Sequence, residues 1–101
     1  MAEGETPTEE ELLEALDRIG VADVLVQALA TTASIGFRRV SPDSRDLTQA
    51  RLAIEALRAL DPVLRDSGAD EAVVRDLEHA RMNLQLAYAK AVSEAGSDTS
   101  E

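Results

Sequence analysis

The first patterned feature of the chain is a short amphipathic segment near its start. Thr8 is followed three residues later by Glu11, a spacing typical of the capping box that closes the N-terminus of a helix. Four large apolar residues then fall on one helical face: Leu12, Leu13, Leu16 and Ile19. Because Gly20 favours termination, the pattern predicts a helix over Glu9–Ile19.

The second segment is apolar on nearly every side. Polar residues such as Asp23, Gln27, Thr31 and Thr32 interrupt it. Its apolar spacing predicts a helix over Ala22–Ile35, which is shorter than the roughly 20 residues that cross a bilayer. Asp23 would also be costly inside a membrane. We therefore expect no membrane span, and we expect this helix to be covered by its own domain or by a second copy of the chain.

Glycine and proline then indicate a loop. Gly36 follows the apolar segment, and Pro42 lies within a polar run of serine and aspartate. Because both residue types interrupt helices, we predict an irregular segment over Gly36–Arg45. This segment separates the first two helices from the rest of the chain.

The third helix begins with Asp46 and Gln49, which have the spacing of a helix-start signal. Apolar residues then recur at helical spacing. Pro62 has no backbone N–H and cannot sit inside a helix without the loss of a hydrogen bond. The pattern therefore predicts a helix over Asp46–Leu64 that is broken near Pro62, with Asp61 as the cap of a short new segment.

The last patterned segment predicts a long helix. Ser67 and Gly68 form a turn signal before it. Apolar residues recur at helical spacing over Asp70–Ala95, and Gly96 and a polar tail follow. No stretch alternates between apolar and polar residues as a strand does. The sequence therefore predicts an all-α fold, a small helical bundle of about four helices.

One helical domain accounts for the patterned part of the chain. We place this domain over residues 8–95, between a disordered head (1–7) and a disordered tail (96–101), because both ends lack large apolar residues after Met1. The core should collect the central apolar residues of the helices. These are Val24, Leu25, Ala28, Leu29, Ile54, Leu57, Leu77 and Leu84.

Several stretches of these helices resemble a known family. The stretches are Leu29–Ala33, Asp46–Ile54, Asp76–Leu84 and Leu86–Tyr88. In this order they are similar to an uncharacterised bacterial family of small helical proteins, the domain of unknown function 1844, over the chain from Val24 to Val92. The resemblance implies a helical fold and a bacterial origin, and it brings no known activity. The family tends to keep an unbroken helix where this chain has Asp61 and Pro62.

Composition indicates which residue types form the core and which cellular compartment the protein occupies. The 101 residues allow one domain, and 45% of them are hydrophobic, which is enough to fold. Only Phe37 and Tyr88 are aromatic, so we expect an aliphatic core. The chain has no cysteine, and it starts without a basic and apolar leader. We therefore expect a reducing compartment, the cytoplasm.

Acidic charge is concentrated at the start of the chain. Of the net charge of −10, the first twenty residues contribute −6, from seven acids and Arg18, and the remainder is nearly balanced. Phosphate groups of nucleic acids need a cationic face, so we expect no nucleic-acid partner. The acidic segment instead favours a protein partner with a basic surface.

Residues that carry catalytic or metal chemistry are scarce. His79 is the only histidine, which excludes paired-histidine metal sites and favours a surface role over that of a general base. The segment Asp66–Glu71 resembles a calcium loop, but its glycine is third instead of sixth. Lys90, the one lysine, follows no glycine-rich phosphate loop. We therefore expect no enzymatic activity, no metal and no cofactor.

Four arginines surround the predicted loop: Arg38, Arg39, Arg45 and Arg51. Guanidinium groups bind phosphate and carboxylate groups through two parallel hydrogen bonds, so these arginines are candidate contacts for an anion or an acidic partner. The alternative is a solvated loop that neutralises nearby acids. A third interpretation is that the acidic first helix of the same chain docks on them.

Two classes of function follow from these patterns. The first is an interaction or assembly module that acts as a homodimer with the second helix at its interface. The candidate interface residues are Val24, Leu25, Ala28, Leu29 and Thr32. The second class is a small-ligand-binding or enzymatic domain with a cleft between helices. A rival to the dimer is that the first helix folds back and covers the second within one chain.

Overall fold

The fold is built entirely from helices. The computed structural model describes residues 6–99, and the side chains of residues 6–96. Four helices follow one another: α1 (Glu9–Asp17), α2 (Val21–Val40), α3 (Leu47–Asp66) and α4 (Glu71–Thr99). One 3-10 turn, Pro42–Ser44, joins α2 to α3, and no strand is present between residues 6 and 99. The predicted all-α bundle is confirmed.

Side-chain caps mark the starts of α1, α3 and α4, whereas α2 begins after Gly20 without one. Thr8 and Glu11 form the predicted capping box: the Glu11 N–H donates to Thr8 Oγ1 at 3.1 Å, and the Thr8 N–H donates to Glu11 Oε1 at 3.1 Å. The Asp46 carboxylate accepts from the Gln49 N–H at 3.2 Å, as its spacing predicts. Asp70 directly precedes α4, and its carboxylate accepts from the Ala72 N–H at 2.8 Å. Each cap satisfies a donor that has no partner within its helix.

Helix α2 continues well past the predicted loop boundary. It runs through Gly36 as one helix of 20 residues, so the predicted helix end at Ile35 and the predicted start of the loop at Gly36 are wrong, and the connection begins only at Ser41. Gly36 is buried, and a Cβ atom there would lie 2.6 Å from Leu84 Cδ2 and 2.9 Å from Ala53 Cβ. The missing side chain permits a close helix contact, and that contact outweighs the cost of about 1 kcal/mol for glycine in a helix.

Helix α3 is also unbroken. Pro62 lies inside it, so the predicted break near Pro62 is wrong. Leu57 and Leu64 are buried on either side of the proline, and the Arg65 guanidinium pairs with Asp61 at 2.7 Å across it. Burial of Leu64, which follows the proline, contributes about 1.5–3 kcal/mol. With the Arg65–Asp61 pair, this contribution offsets most of the roughly 3 kcal/mol that a proline costs inside a helix.

Three other helix ends differ from prediction by a few residues. Helix α1 ends at Asp17, before the predicted Ile19, and α3 ends at Asp66, after the predicted Leu64. Helix α4 passes through Gly96 to Thr99 instead of ending at Ala95. A glycine lowers helix stability by about 1 kcal/mol and does not terminate a helix by itself. Residues 1–5 of the predicted disordered head and residues 100–101 of the predicted tail lie outside the described residues.

Helices α2, α3 and α4 pack on one another around an aliphatic core. Its buried apolar residues are Leu29, Ala33, Ala50, Ala53, Ile54, Leu57, Leu64, Val74, Leu84 and Ala91. Four of the eight predicted core residues are buried, and Leu25 and Leu77 pack against them half-buried. Val24 and Ala28 are exposed in the single chain, so their predicted place in its core is wrong. They lie on a side of α2 that no described helix covers.

Helix α1 stands apart from this three-helix bundle. The chain bends by 85° between α1 and α2, and no residue of α1 is buried. The radius of gyration is 18.2 Å, against about 13 Å for a compact domain of this length, because α1 projects and α4 is long. The molecule is therefore a three-helix bundle with a projecting segment, residues 8–19, which we call the α1 arm.

Candidate interaction surface

The α1 arm presents an apolar face to solvent. Its four large apolar side chains are each at least half exposed: Leu12, Leu13, Leu16 and Ile19. The helix itself contains five acidic residues and no basic one, and Glu14 pairs with the following Arg18 at 3.9 Å. Helical spacing places most of these acids opposite the leucines. The arm is therefore an acidic amphipathic helix whose apolar side the described part of the chain leaves open.

The capping box lowers the pKa of Glu11 and stabilises the helical conformation of the arm. The Glu11 carboxylate accepts from the Thr8 backbone N–H at 3.1 Å and from the Thr8 hydroxyl at 3.0 Å. These two bonds hold the pKa of Glu11 below its ordinary 4.5, because the ionised form is the better acceptor. The negative charge also lies at the positive end of the helix dipole. The arm is thus helical without a partner on its apolar face.

A shallow apolar groove of about 340 Å³ opens between α2 and α3. Its lining residues are Thr32, Ile35, Gln49, Leu52, Ala53 and Ala56. Leu52 is 62% exposed and Ile35 is 49% exposed, so large apolar side chains face water here. Steps of three and four residues extend the same side along both helices. The exposed residues reached in this way are Val24 and Ala28 on α2, and Ala59 and Val63 on α3. We call this surface the α2/α3 groove face.

Most of the predicted interface residues fall on the α2/α3 groove face. Val24 and Ala28 are exposed, and Leu25 and Thr32 are half-buried. Leu29 differs, because it is buried in the core of its own chain and offers no surface to a partner. The α3 half of the face was not predicted, although the third helix has more apolar positions than one buried stripe needs.

Arg45, one of the four predicted contact arginines, is engaged within the chain. Its guanidinium donates to the Val40 carbonyl at 3.1 Å and pairs with Glu94 at 2.9 Å, and its side chain is only 21% exposed. It therefore ties the C-terminal end of α2 to α4, through a partner 49 residues away in sequence. This role leaves three of the four predicted arginines available to a ligand or partner.

The other three predicted arginines lie near one end of the groove. Arg38 and Arg39 are in the last turn of α2, where their charges complement the helix dipole, and Arg51 is exposed near the start of α3. The Asp46 N–H donates to the Arg39 carbonyl at 2.8 Å and holds the two helix ends together. None of the three guanidinium groups forms an ion pair with another side chain in residues 6–96. This end of the groove is cationic.

A second concavity lies beside the turn between α3 and α4. This open cleft of about 590 Å³ is lined by Arg65, Ala69, Glu71, Val74, Arg75, Glu78 and His79. The hydrogen bond and charge of Asp61, followed by those of Glu78, raise the pKa of Arg65. Two carboxylates and two guanidinium groups line the cleft, so their formal charges cancel. The cleft therefore has no net charge from these four groups that would attract an ion.

Neither a metal cluster nor a single membrane-spanning helix occurs in the part of the chain that the structure describes. No three histidine, cysteine, aspartate or glutamate side chains there are grouped to hold a metal ion. Taken one at a time, no described helix combines the length and the apolar character needed to cross a membrane. Helices α1 and α2 meet those criteria only as a pair, across their bend of 85°.

No family model matches the chain. No curated protein and no solved structure matches it either. The arm, the groove face and the charges around them are therefore the features that bear on function.

The arm and the groove face have matching chemistry. Each exposes large aliphatic side chains, and burial of one such side chain contributes about 1.5–3 kcal/mol to an association. The arm is acidic, whereas one end of the groove carries three arginines without ion-pair partners among the described side chains. The two surfaces can therefore bury apolar area on association, and their charges can orient a charged partner.

Proposed function

We propose that this protein is an interaction module that assembles as a homodimer through the α2/α3 groove face. The observation that carries the proposal is that a chain of only 101 residues exposes both the apolar groove face and the apolar side of the α1 arm. Monomeric proteins rarely leave such patches in water, and patches of this kind mark sites of association. A two-fold dimer is the commonest closed assembly of identical chains.

The α2 side of the face suits the close approach of another helix. Ala28 and Thr32 are small and lie at its centre, while Val24 and Ile35 supply larger apolar side chains towards its ends. Such a surface has an apolar middle without charge, which is typical of the buried centre of an interface. Arg39 lies beyond Ile35, where a polar rim is expected.

The acidic arm supports a second partner, a protein with a basic surface. The net charge of −10 would raise the rate of encounter with a basic partner, and salt would lower that rate.

We assign the protein no catalytic role and no nucleic-acid partner. We place it in the cytoplasm of a bacterium, within the family that its helices resemble.

Light scattering after size-exclusion chromatography tests the homodimer. We expect about twice the chain mass of 10.8 kDa at micromolar concentration. A mass of 10.8 kDa under these conditions would contradict the proposal.

A charge placed on the groove face should separate the two copies. Ala28 is exposed in the single chain, so Ala28→Glu leaves each bundle folded and forces a carboxylate to be buried only in the dimer. We expect a folded monomer by light scattering and circular dichroism. Ala30→Glu is the matched control, because Ala30 is exposed on the opposite side of the same helix, and this variant should remain a dimer.

A small-ligand-binding domain is the competing proposal, and the cleft beside His79 is the observation that favours it. A compound that binds the folded chain there would raise its melting temperature, and the rise would grow with the logarithm of its concentration relative to its dissociation constant. His79→Ala should abolish that rise, whereas Ala28→Glu should preserve it. A rise that survives the substitution of His79 would contradict a ligand site in this cleft.

A further inference from the structure

We propose that the α1 arm of one copy lies in the α2/α3 groove of a second copy, so that two chains exchange their arms reciprocally. The inference rests on the proposed homodimer and adds which segment fills the groove. With an exchanged arm in place, each three-helix bundle gains a fourth helix from its partner. The apolar side of the arm and the groove face then cover one another.

The dimensions of the arm and the groove agree. Helix α1 has 9 residues and is about 13 Å long at about 1.5 Å per residue. The groove face extends from Val24 to Ile35 on α2 and from Leu52 to Val63 on α3, about 16 Å on each helix. A helix of this length therefore fits within the groove face and brings its leucines over the small residues at the centre.

Charge gives the arm a direction in the groove. Three glutamates occupy the first turn of α1, and no basic residue occupies its last turn. Arg38, Arg39 and Arg51 lie near the groove end where α2 meets α3. The favourable orientation therefore points the N-terminus of the arm towards these arginines. The remaining acids of the arm face solvent, where they stay hydrated.

The connector between α1 and α2 favours a second copy over the same chain. Only residues 18–20 join the two helices. The N–H groups of Arg18 and Ile19 donate back into α1 at 3.2 and 3.1 Å, and the Gly20 carbonyl accepts from the first turn of α2 at 3.1 and 3.3 Å. A fold-back onto its own groove would need the chain to reverse within these three residues, whose backbone groups already extend the end of α1 and the start of α2. Short hinges that hold an element away from its own site promote exchange between copies.

Disulfide cross-linking tests which chain supplies the arm. The protein has no cysteine, so engineered thiols meet no competitor. We place Leu16→Cys on the arm of one preparation and Ala56→Cys in the groove of another, with a mass tag on one of them. After joint unfolding in urea, refolding and mild oxidation, we expect a disulfide-linked heterodimer on non-reducing gels. Pairing of Leu16→Cys with Ala89→Cys, an exposed position on α4, is the control and should remain unlinked.

The double variant Leu16→Cys/Ala56→Cys distinguishes exchange from fold-back within one chain. Exchange predicts linked dimers, with two disulfides in each pair. A monomer closed by an internal disulfide would show that the arm occupies its own groove, and it would overturn the inference. The absence of any link between these positions in a protein that is dimeric would overturn it as well.

Removal of the apolar face of the arm provides a second measurement. Leu12 and Leu16 are exposed, so Leu12→Ser/Leu16→Ser leaves the bundle folded, and we expect the dimer dissociation constant to rise at least about tenfold. An unchanged constant would overturn the arm exchange and leave the homodimer standing. A wild-type chain that is monomeric would overturn both the homodimer and the exchange.

Discussion

The missing side chain at Gly36 lets α2 approach two other helices closely. An added methyl group would lie 2.6 Å from Leu84 Cδ2 and 2.9 Å from Ala53 Cβ, and both neighbours are buried. We expect Gly36→Ala to lower the free energy of unfolding by about 1–3 kcal/mol, because overpacking outweighs the gain in helix propensity of about 1 kcal/mol. Urea denaturation followed by circular dichroism measures this change.

Gly96 provides the matched control for Gly36. It is also in a helix, but an added Cβ atom would meet nothing within 4 Å. We therefore expect Gly96→Ala to leave the free energy of unfolding unchanged or to raise it by a few tenths of a kcal/mol, because the end of a helix frays. Equal stability of the two alanine variants would show that Gly36 does not mediate a tight contact.

Glu11 links the stability of the arm to pH. Its pKa is lower in the folded protein than in the unfolded chain, where it is about 4.5. The capping box therefore contributes its full stability above pH 4.5 and loses it as the pH falls through the lowered value. We expect a carboxyl titration of Glu11 by NMR with a midpoint below 4.5, and faster amide exchange in α1 across that acid range.

Thr8→Ala tests the cause of this shift. The substitution removes the hydroxyl group that donates to the Glu11 carboxylate and accepts from the Glu11 N–H. We expect the titration midpoint of Glu11 to move up towards 4.5 and the helical content of α1 to fall. A midpoint that stays where it is in the wild-type protein would rule out the hydroxyl as a contributor.

The end of α2 is held to α4 by Arg45, through the Val40 carbonyl and Glu94. We expect Arg45→Ala to lower the free energy of unfolding by about 1–2 kcal/mol, because a partly buried carbonyl and a carboxylate lose a charged donor. Thermal unfolding measures the loss. Arg38→Ala is the control, since Arg38 is exposed and forms no ion pair within residues 6–96. Equal melting temperatures for the two variants would contradict the role of Arg45.

Helix starts were predictable from sequence, whereas two helix interiors were not. The cap at Thr8 involves residues three apart, so its signal is local. Gly36 and Pro62 each predict an interruption of the helix from residue type alone. Long-range packing overrides this local preference, as the close approach of Gly36 to Leu84 shows. The role of Arg45 was hidden for the same reason, since its partner on α4 is 49 residues away. The α2 half of the groove face could be predicted from sequence, because α2 has more apolar residues than the core of one chain can bury.

The whole molecule is extended because the α1 arm leaves the bundle at 85°. We expect X-ray scattering from the monomeric Ala28→Glu variant to give a radius of gyration near 18.2 Å. An arm folded onto its own bundle would lower the radius of gyration from this value towards the roughly 13 Å of a compact domain, although the long α4 would keep it above that value. A smaller value would therefore contradict an arm that is free to reach a second copy. Ala30→Glu should scatter as the dimer and serves as the reference.

The projecting arm also has a consequence for the order of events during translation. Helix α1 leaves the ribosome before α2 and α3, whose groove face is complete only after residue 66. At roughly 5–20 residues per second, several seconds pass in which the leucines of the arm have no groove in their own chain. On a messenger read by several ribosomes, a finished copy nearby already offers that groove. In the proposed exchanged dimer, the arm would therefore be the first segment of a nascent chain able to contact a second copy.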